Sequence, residues 1–391
     1  MDVPYIEYRK TENVCPLTLT NREKLYYDII NIEHSFSGRI DGNIINIFIL
    51  EAAQLLINAI ELFGSGYFDC AFYSLRSAID ISTTMVYLTD MPDDESVRRL
   101  EDWKDTKDFP MQSKIVKELS KSGMVFSEMK TEMADFFENA KALSQKLNKY
   151  VHKQGFQHFY VSRNHPLNQE KTQDGFISEF EGYLKECIGV VAVMRLAADP
   201  FPILLMDDEI LYRCFDSMTD PYSQEFVDEY IGEKTVEAYK QTNIYQTAYA
   251  SFISNEKKNE ATFNVMKHQY IDTRQVAEIE TQLHLLAAQE VAFVRLASQC
   301  KKIVKLYVCG GLLMYFTDRN TNRKKMSWGG KEFMKFASCV EKYNQPYDEA
   351  YISVFTFGDE SVFLEHNEVL DSSDILTINQ VLTDSDKKET V

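Results

Sequence analysis

The chain reads as a mainly α protein: an N-terminal helical bundle, then a C-terminal helical region with one long helix and a small antiparallel β element. Three observations carry that reading. The first is punctuation. Fifteen glycines and nine prolines in 391 residues, against typical usages of about 7% and 5%, leave few turns and favour long elements. The second is the recurrence of apolar residues at helical spacing through most of the chain before Gly310. The third is a change of grammar after Gly310-Gly311, where β-branched and aromatic runs replace the helical period. Hydrophobic residues at 45% supply a large core and exclude wholesale disorder.

Taken in order, Asn21 is placed to cap a helix through REKLYYDIINIEH. The run IINIFILEAAQLLINAIELF is long enough to span a bilayer. Within it, however, Glu51, Gln54, Asn58 and Glu61 fall at spacings of 3, 4 and 3 and draw a polar stripe. Carboxylates are costly in lipid, so a bundle helix over 43–63 is expected, stopped by Gly64-Ser65-Gly66, and no membrane partner. A third helix, YFDCAFYSLRSAIDISTTMVYL, closes at Asp90-Met91-Pro92. Shorter amphipathic pieces near 94–106 and 112–121 precede a long helix over 125–152. Residues 153–173 lack a period and are expected as a loop. The next helix, ISEFEGYLKECIGVVAVMRLAA, runs into Asp199-Pro200-Phe201-Pro202. Two prolines so close end a helix and stiffen a junction.

The expected organisation is therefore a bundle over 1–200, a helical region over 201–311, a small α+β element over 312–380 and a flexible tail over 381–391. In the second region Val276, Ile279, Leu283, Leu286, Glu290, Phe293, Ala297, Cys300, Val304 and Tyr307 alternate spacings of 3 and 4. That is a seam of about nine turns, interrupted only by Glu290. In the third, LLMYFT reads as a strand and about 330–343 as a helix. AYISVFTF and ESVFLEH read as a hairpin turning on Gly358-Asp359.

A net charge of −18 repels polyanions at long range, but salt screens such fields beyond about 8 Å, so local clusters can override the total. Seven scattered cysteines form no paired motif, which suits a reducing compartment. The start, MDVPYIEYRKTENVCPLTLT, has no apolar run after a basic start, so no signal peptide is expected and the location is read as cytoplasmic. There is no P-loop, GxGxxG, GxSxG or HExxH, and no cofactor is expected.

The strongest functional signal is basic. Between Val291 and Lys335 lie Arg295, Lys301, Lys302, Lys305, Arg319, Arg323, Lys324, Lys325, Lys331 and Lys335, opposed only by Asp318 and Glu332. Ten cations against two carboxylates give +8 locally in a chain of −18, which leaves −26 for the rest. Such asymmetry points to an acidic or phosphate-bearing partner, RNA or DNA among the candidates. Arginines grip phosphates with two donors and lysines supply point charge. Trp328 is placed to stack a base. Arg319, Arg323, Lys324, Lys325, Trp328 and Lys331 are the expected contact residues. The ordinary alternative is a solvated helix face, with Lys301, Lys302 and Lys305 pairing with the acidic first domain.

Three of the seven histidines, His152, His158 and His165, crowd into HKQGFQHFYVSRNH. Three imidazoles can supply three zinc ligands, but intervals of five and six residues match no metal motif and no cysteine lies near, so a polar loop is expected. The acidic groups Asp207-Asp208-Glu209 and Glu365-His366 with Glu368 are nonspecific.

Arg76 and Asp80 lie one turn apart on an otherwise apolar helix, spaced for a polar clasp that meets the end of LNKYVHKQG. A helix bearing an arginine, followed by a long helix ending Tyr150-Val151-His152, resembles bacterial proteins with the HEPN-type helical bundle over residues 20–200. That resemblance implies a helical-bundle fold. It also implies kinship with RNA-cleaving toxins and antiphage effectors, which use an arginine followed four to six residues later by histidine. This chain departs from the pattern: the nearest arginine before His152 is Arg99, and Arg163 precedes His165 by two. Without both groups, a base and a transition-state cation are not assembled there. The expectation is a noncatalytic binding or regulatory protein. The rivals are a divergent ribonuclease using Arg76, Asp80 and His152, and a homo-oligomeric scaffold.

Overall fold

The computed structural model describes residues 16–35, 37, 43–105, 109–159, 172–214, 219–308, 342–347, 350–358 and 360–389. The chain is mainly α with a small antiparallel sheet, as its punctuation foretold. It divides into two compact units, one of residues 1–211 and 217–254, the other of 212–216 and 255–391. The expected junction at Asp199-Pro202 lies inside the first unit.

The first unit holds α1 (Arg22–His34), α2 (Asn43–Gly64), α3 (Phe68–Thr89), α4 (Asp93–Lys104), α5 (Gln112–Ser122), α6 (Phe126–Glu132), α7 (Ala134–Val151), α8 (Gln173–Leu196), α9 (Glu233–Tyr239) and α10 (Asn243–Ile253). Helix α2 is long and apolar enough to cross a bilayer by composition. Leu56, Ala59, Ile60 and Phe63 are nevertheless fully buried in the bundle core, and the Phe63 ring stacks on Phe180 of α8 at 3.9 Å. The polar stripe does what its spacing requires: Glu51, Gln54 and Glu61 are exposed. Past α2, Tyr67 N–H bonds Leu62 O at 2.7 Å and Gly66 N–H bonds Phe63 O at 3.0 Å, with Gly66 at φ 82°. This is the Schellman closure that Gly64-Ser65-Gly66 announces.

The long helix expected over 125–152 is broken. Met133 leaves the helical region at φ −103°, ψ 40°, which separates α6 from α7 and lets Phe126 and Phe137 meet edge to face at 5.1 Å. Helix α8 is buried throughout Cys187–Leu196, and its Gly189 permits a close approach. A Cβ there would stand 2.1 Å from the carbonyl oxygen of Tyr230, in a π-helical turn over Val227–Ile231.

The second unit has α11 (Glu260–His268), β1 (Tyr270–Asp272), α12 (Val276–Glu280), α13 (Ala288–Gln299), β2 (Ile303–Val308), β3 (Lys342–Tyr347), β4 (Ala350–Phe357), β5 (Glu360–His366) and α14 (Ser372–Glu389). The strands lie in the order β1-β2-β5-β4-β3, and every neighbouring pair is antiparallel. The expected hairpin is present, with Phe357 opposite Glu360; Asp359 falls outside the described residues, as do LLMYFT and most of the expected helix at 330–343. On one face Ile271, Leu306, Phe355 and Leu364 join Phe293 and Leu296 of α13 and Ile378 and Leu382 of α14 in a core.

Two expectations fail here. The nine-turn seam is α12, a break, α13 and then β2. Glu290 explains the break: its carboxylate accepts the Ala287 N–H at 2.8 Å, which is what the third residue of a new helix does for its cap. Val304 and Tyr307 follow as strand residues, because IVKLYV is rich in β-branched and aromatic side chains. The tail expected over 381–391 is helical to Glu389, since Ile378 and Leu382, one turn apart, are buried in the core.

Gly189→Ala is expected to destabilise the first unit by about 3 kcal/mol, the upper range for forcing a methyl into packed backbone. A thermal melt of the variant against the parent reads this as a lowered Tm with the helical circular dichroism retained below it.

Candidate functional site

The basic zone is described only at its start. Lys302 closes on Asp374 and lies 3.2 Å from Asp371, tying β2 to the first turn of α14. Hydrogen bonds from Ser373, the Asp374 N–H and Lys302 hold the Asp371 carboxyl far below the usual range, and the bond to Asp374 raises Lys302. Lys305 stands on β2 directly opposite Asp272 of β1 and Glu365 of β5, its ammonium 5.8 Å from the Tyr270 ring centre. Arg295 and Lys301 are exposed and form no ion pair among the described residues. Arg319, Arg323, Lys324, Lys325, Trp328 and Lys331 lie outside the described residues. The expected open surface therefore contracts at its near end: Lys302 is met by the molecule's own carboxylates and Lys305 is set between two more.

Sequence reasoning missed the sheet face on which Lys305 sits. Alternation in YID, KLY and FLE places Tyr270, Asp272, Lys305, Tyr307, Phe363 and Glu365 together, opposite the apolar core. Arg274 grips Asp272 with Nε at 3.0 Å and Nη2 at 2.6 Å, and its bonds outweigh burial in lowering that carboxyl. Tyr307 donates to Glu365 at 3.0 Å, and both are fully buried. The signal was available as three period-2 triplets, but register was needed to align them. On the opposite face Ser353 and His366, both fully buried, lie 2.9 Å apart.

In the first unit the clasp forms as its spacing suggested. The Arg76 guanidinium holds Asp80 and donates from Nε to the Asn148 side chain of α7 at 2.9 Å. Burial raises the Asp80 carboxyl, against the pull of Arg76. His152 terminates α7 one turn beyond Asn148 and is exposed. The structure thus brings Arg76 and Asp80 together, and among the described residues His152 makes no hydrogen bond to either.

The turn after α7 repeats the closure seen after α2. Gln154 N–H bonds Lys149 O at 2.9 Å and Lys153 N–H bonds Tyr150 O at 3.4 Å, with Lys153 at φ 52° where glycine is usual. His158 is buried, its ring edge-on to Tyr150 at 4.3 Å, while His152 is exposed and His165 lies outside the described residues. Among the described residues no three His, Cys, Asp or Glu side chains gather as a metal ion requires.

The deepest charged pair was not anticipated at all. Arg195 and Asp199, one turn apart at the end of α8, are 0% and 1% exposed. Arg195 Nε donates to Ser35 O at 2.9 Å. Asp199 accepts the Ser37 hydroxyl at 2.7 Å and the Phe201 N–H at 3.0 Å. Burial pushes the neighbouring Tyr222 phenol up to about 12, against the influence of Arg195. Tyr222 and Tyr239 donate to the carbonyls of Ala192 and Leu196.

Asp199→Ala is expected to cost about 3–5 kcal/mol, because it strands a buried guanidinium. Arg76→Ala, at a partly exposed pair, is expected to cost about 1 kcal/mol or less; chemical denaturation of the two variants checks the contrast. No protein-family model, curated protein or solved structure matches the chain, so a functional reading rests on these side chains.

Proposed function

We propose that this is a noncatalytic, cytoplasmic binding protein whose C-terminal unit engages an acidic or phosphate-bearing partner through the zone beginning at Arg295. The observation that carries the reading is segregation of charge: +8 between Val291 and Lys335 in a chain of −18. The exposure of Arg295 and Lys301 supports it. The engagement of Lys302 by Asp371 and Asp374 moves the weight of binding onto Arg319, Arg323, Lys324, Lys325 and Lys331, with Trp328 to stack on a base where the partner is nucleic acid. The resemblance of residues 20–200 to the HEPN-type bundle extends the proposal to a role in bacterial defence.

One observation favours a second reading, a divergent ribonuclease. Arg76 of α3 reaches Asn148, one turn before His152. Against it, the guanidinium is occupied by Asp80, and a cation already paired has less charge to offer a transition state.

Titration of labelled duplex DNA against salt tests the first reading. Five engaged phosphates give a log–log slope of about −4.5, and replacing Arg323, Lys324 and Lys325 together by alanine should flatten it to about −1.8. Binding indifferent to that triple substitution rejects the proposal. RNA cleavage lost in His152→Ala selects the ribonuclease. A mass that rises with concentration, without nucleic acid binding, selects the self-associating scaffold.

A further inference from the structure

We propose that Asn344, Ser353 and His366 form a pH-operated latch, which holds the outer strand β3 on the sheet while the imidazole is neutral and loosens it when the ring takes a proton. The argument starts from a carbonyl. His366 Nδ1 lies 2.7 Å from Glu368 O, and a carbonyl oxygen only accepts, so Nδ1 carries the hydrogen. Nε2 of the neutral ring is then a lone pair, and the Ser353 hydroxyl 2.9 Å away donates to it. The same serine oxygen accepts the Asn344 N–H at 2.8 Å. Asn344 sits where the β3–β4 register slips, at φ 56°, and its side chain exchanges two bonds with the Leu370 backbone, at 3.0 and 2.8 Å. A directional chain thus runs from the edge strand through β4 to β5 and the segment before α14.

Protonation reverses its last link. Nε2 becomes a donor, and the Ser353 proton loses its acceptor in a site closed to water, where Ser353 and His366 are each 0% exposed. The charged groups around the ring divide. Glu365 of the same strand and Asp374 of α14 favour the cation, and Lys302 opposes it; Tyr351 of β4 is stacked at 5.8 Å. Burial is the largest influence and places the folded ring below its usual 6.5. The unfolded chain therefore binds the proton more readily. The stabilising contribution is complete above about 6.5 and is lost as pH falls from there through the folded value.

Among the described residues the strand concerned is an edge, paired only with β4. It begins at Lys342, seven residues after Lys335 closes the basic zone in the sequence.

Hydrogen exchange of the full chain, read by peptide mass spectrometry and corrected for the intrinsic rate, tests this between about pH 7.5 and about pH 5.5. Peptides of β3 are expected to lose protection as pH falls below about 6.5, by up to about tenfold per pH unit, and to level off once the folded value is passed, while those of β1 and β2 keep theirs. In His366→Gln the loss should disappear. Should that variant fail to fold, Asn344→Gly, which suits the positive φ and keeps the N–H, is expected to loosen β3 equally at both pH values with the dependence retained. Equal β3 protection at both pH values in the parent overturns the latch. So does a loss shared by β1 and β2, or a dependence that survives in His366→Gln.

Discussion

A guanidinium with no access to water must be met by protein, and in the first unit Arg195 sets that requirement for everything around the end of α8. Its charge is answered by Asp199 one turn on, and its Nε takes the carbonyl of Ser35 that ends α1. Asp199 in turn caps the corner at Phe201 and holds Ser37. Desolvating two charges costs several kcal/mol for each ion, so the pair adds little net stability. What it contributes is placement: Ser35 O, Ser37 and the Phe201 N–H are each fixed by a bond to Arg195 or Asp199. The two prolines that read as a stiff linker are therefore a buried corner of one unit.

The same rule separates structural charge from charge offered to a partner. Lys302, Asp272 and Glu365 look functional in a list of titratable residues, but each has a donor or acceptor of its own: Asp371 and Asp374, Arg274, Tyr307. Arg295 and Lys301 are exposed and form no ion pair among the described residues. Exposed cations of this kind are free to exchange counterions for a phosphate at little desolvation cost. Within the near part of the basic zone, Arg295 and Lys301 therefore differ from Lys302, which is engaged by Asp371 and Asp374.

Local rules were legible wherever a single residue carries the signal. Gly66 closes α2 because a left-handed residue is needed there, and Arg76 with Asp80 faced the end of α7 because helical spacing put them on one side. What failed was inference from period alone. A 3/4 alternation ran from Val276 to Tyr307, but it is compatible with helix, cap and strand in succession. The one residue that disagreed, Glu290, was the informative one, since a carboxylate three places into a helix caps it. The candidate sites were hidden for a different reason. Asp272, Lys305 and Glu365 are far apart in the chain and share a sheet face only once three strands are set in register.

The two faces of that sheet then divide the work. One carries the apolar core with Ser353 and His366 buried in it, and a polar pair inside a core is tolerated only when every donor finds an acceptor. Neutral His366 meets this condition, with Nδ1–H on Glu368 O and Nε2 on the Ser353 hydroxyl; an ionised ring does not. The other face collects carboxylates, a lysine and tyrosines that satisfy one another across strands. Titration on the first face is therefore felt as a change in packing at the β3 edge. On the second it is absorbed by neighbours of opposite charge, and the asymmetry follows from side-chain alternation along β2, β4 and β5.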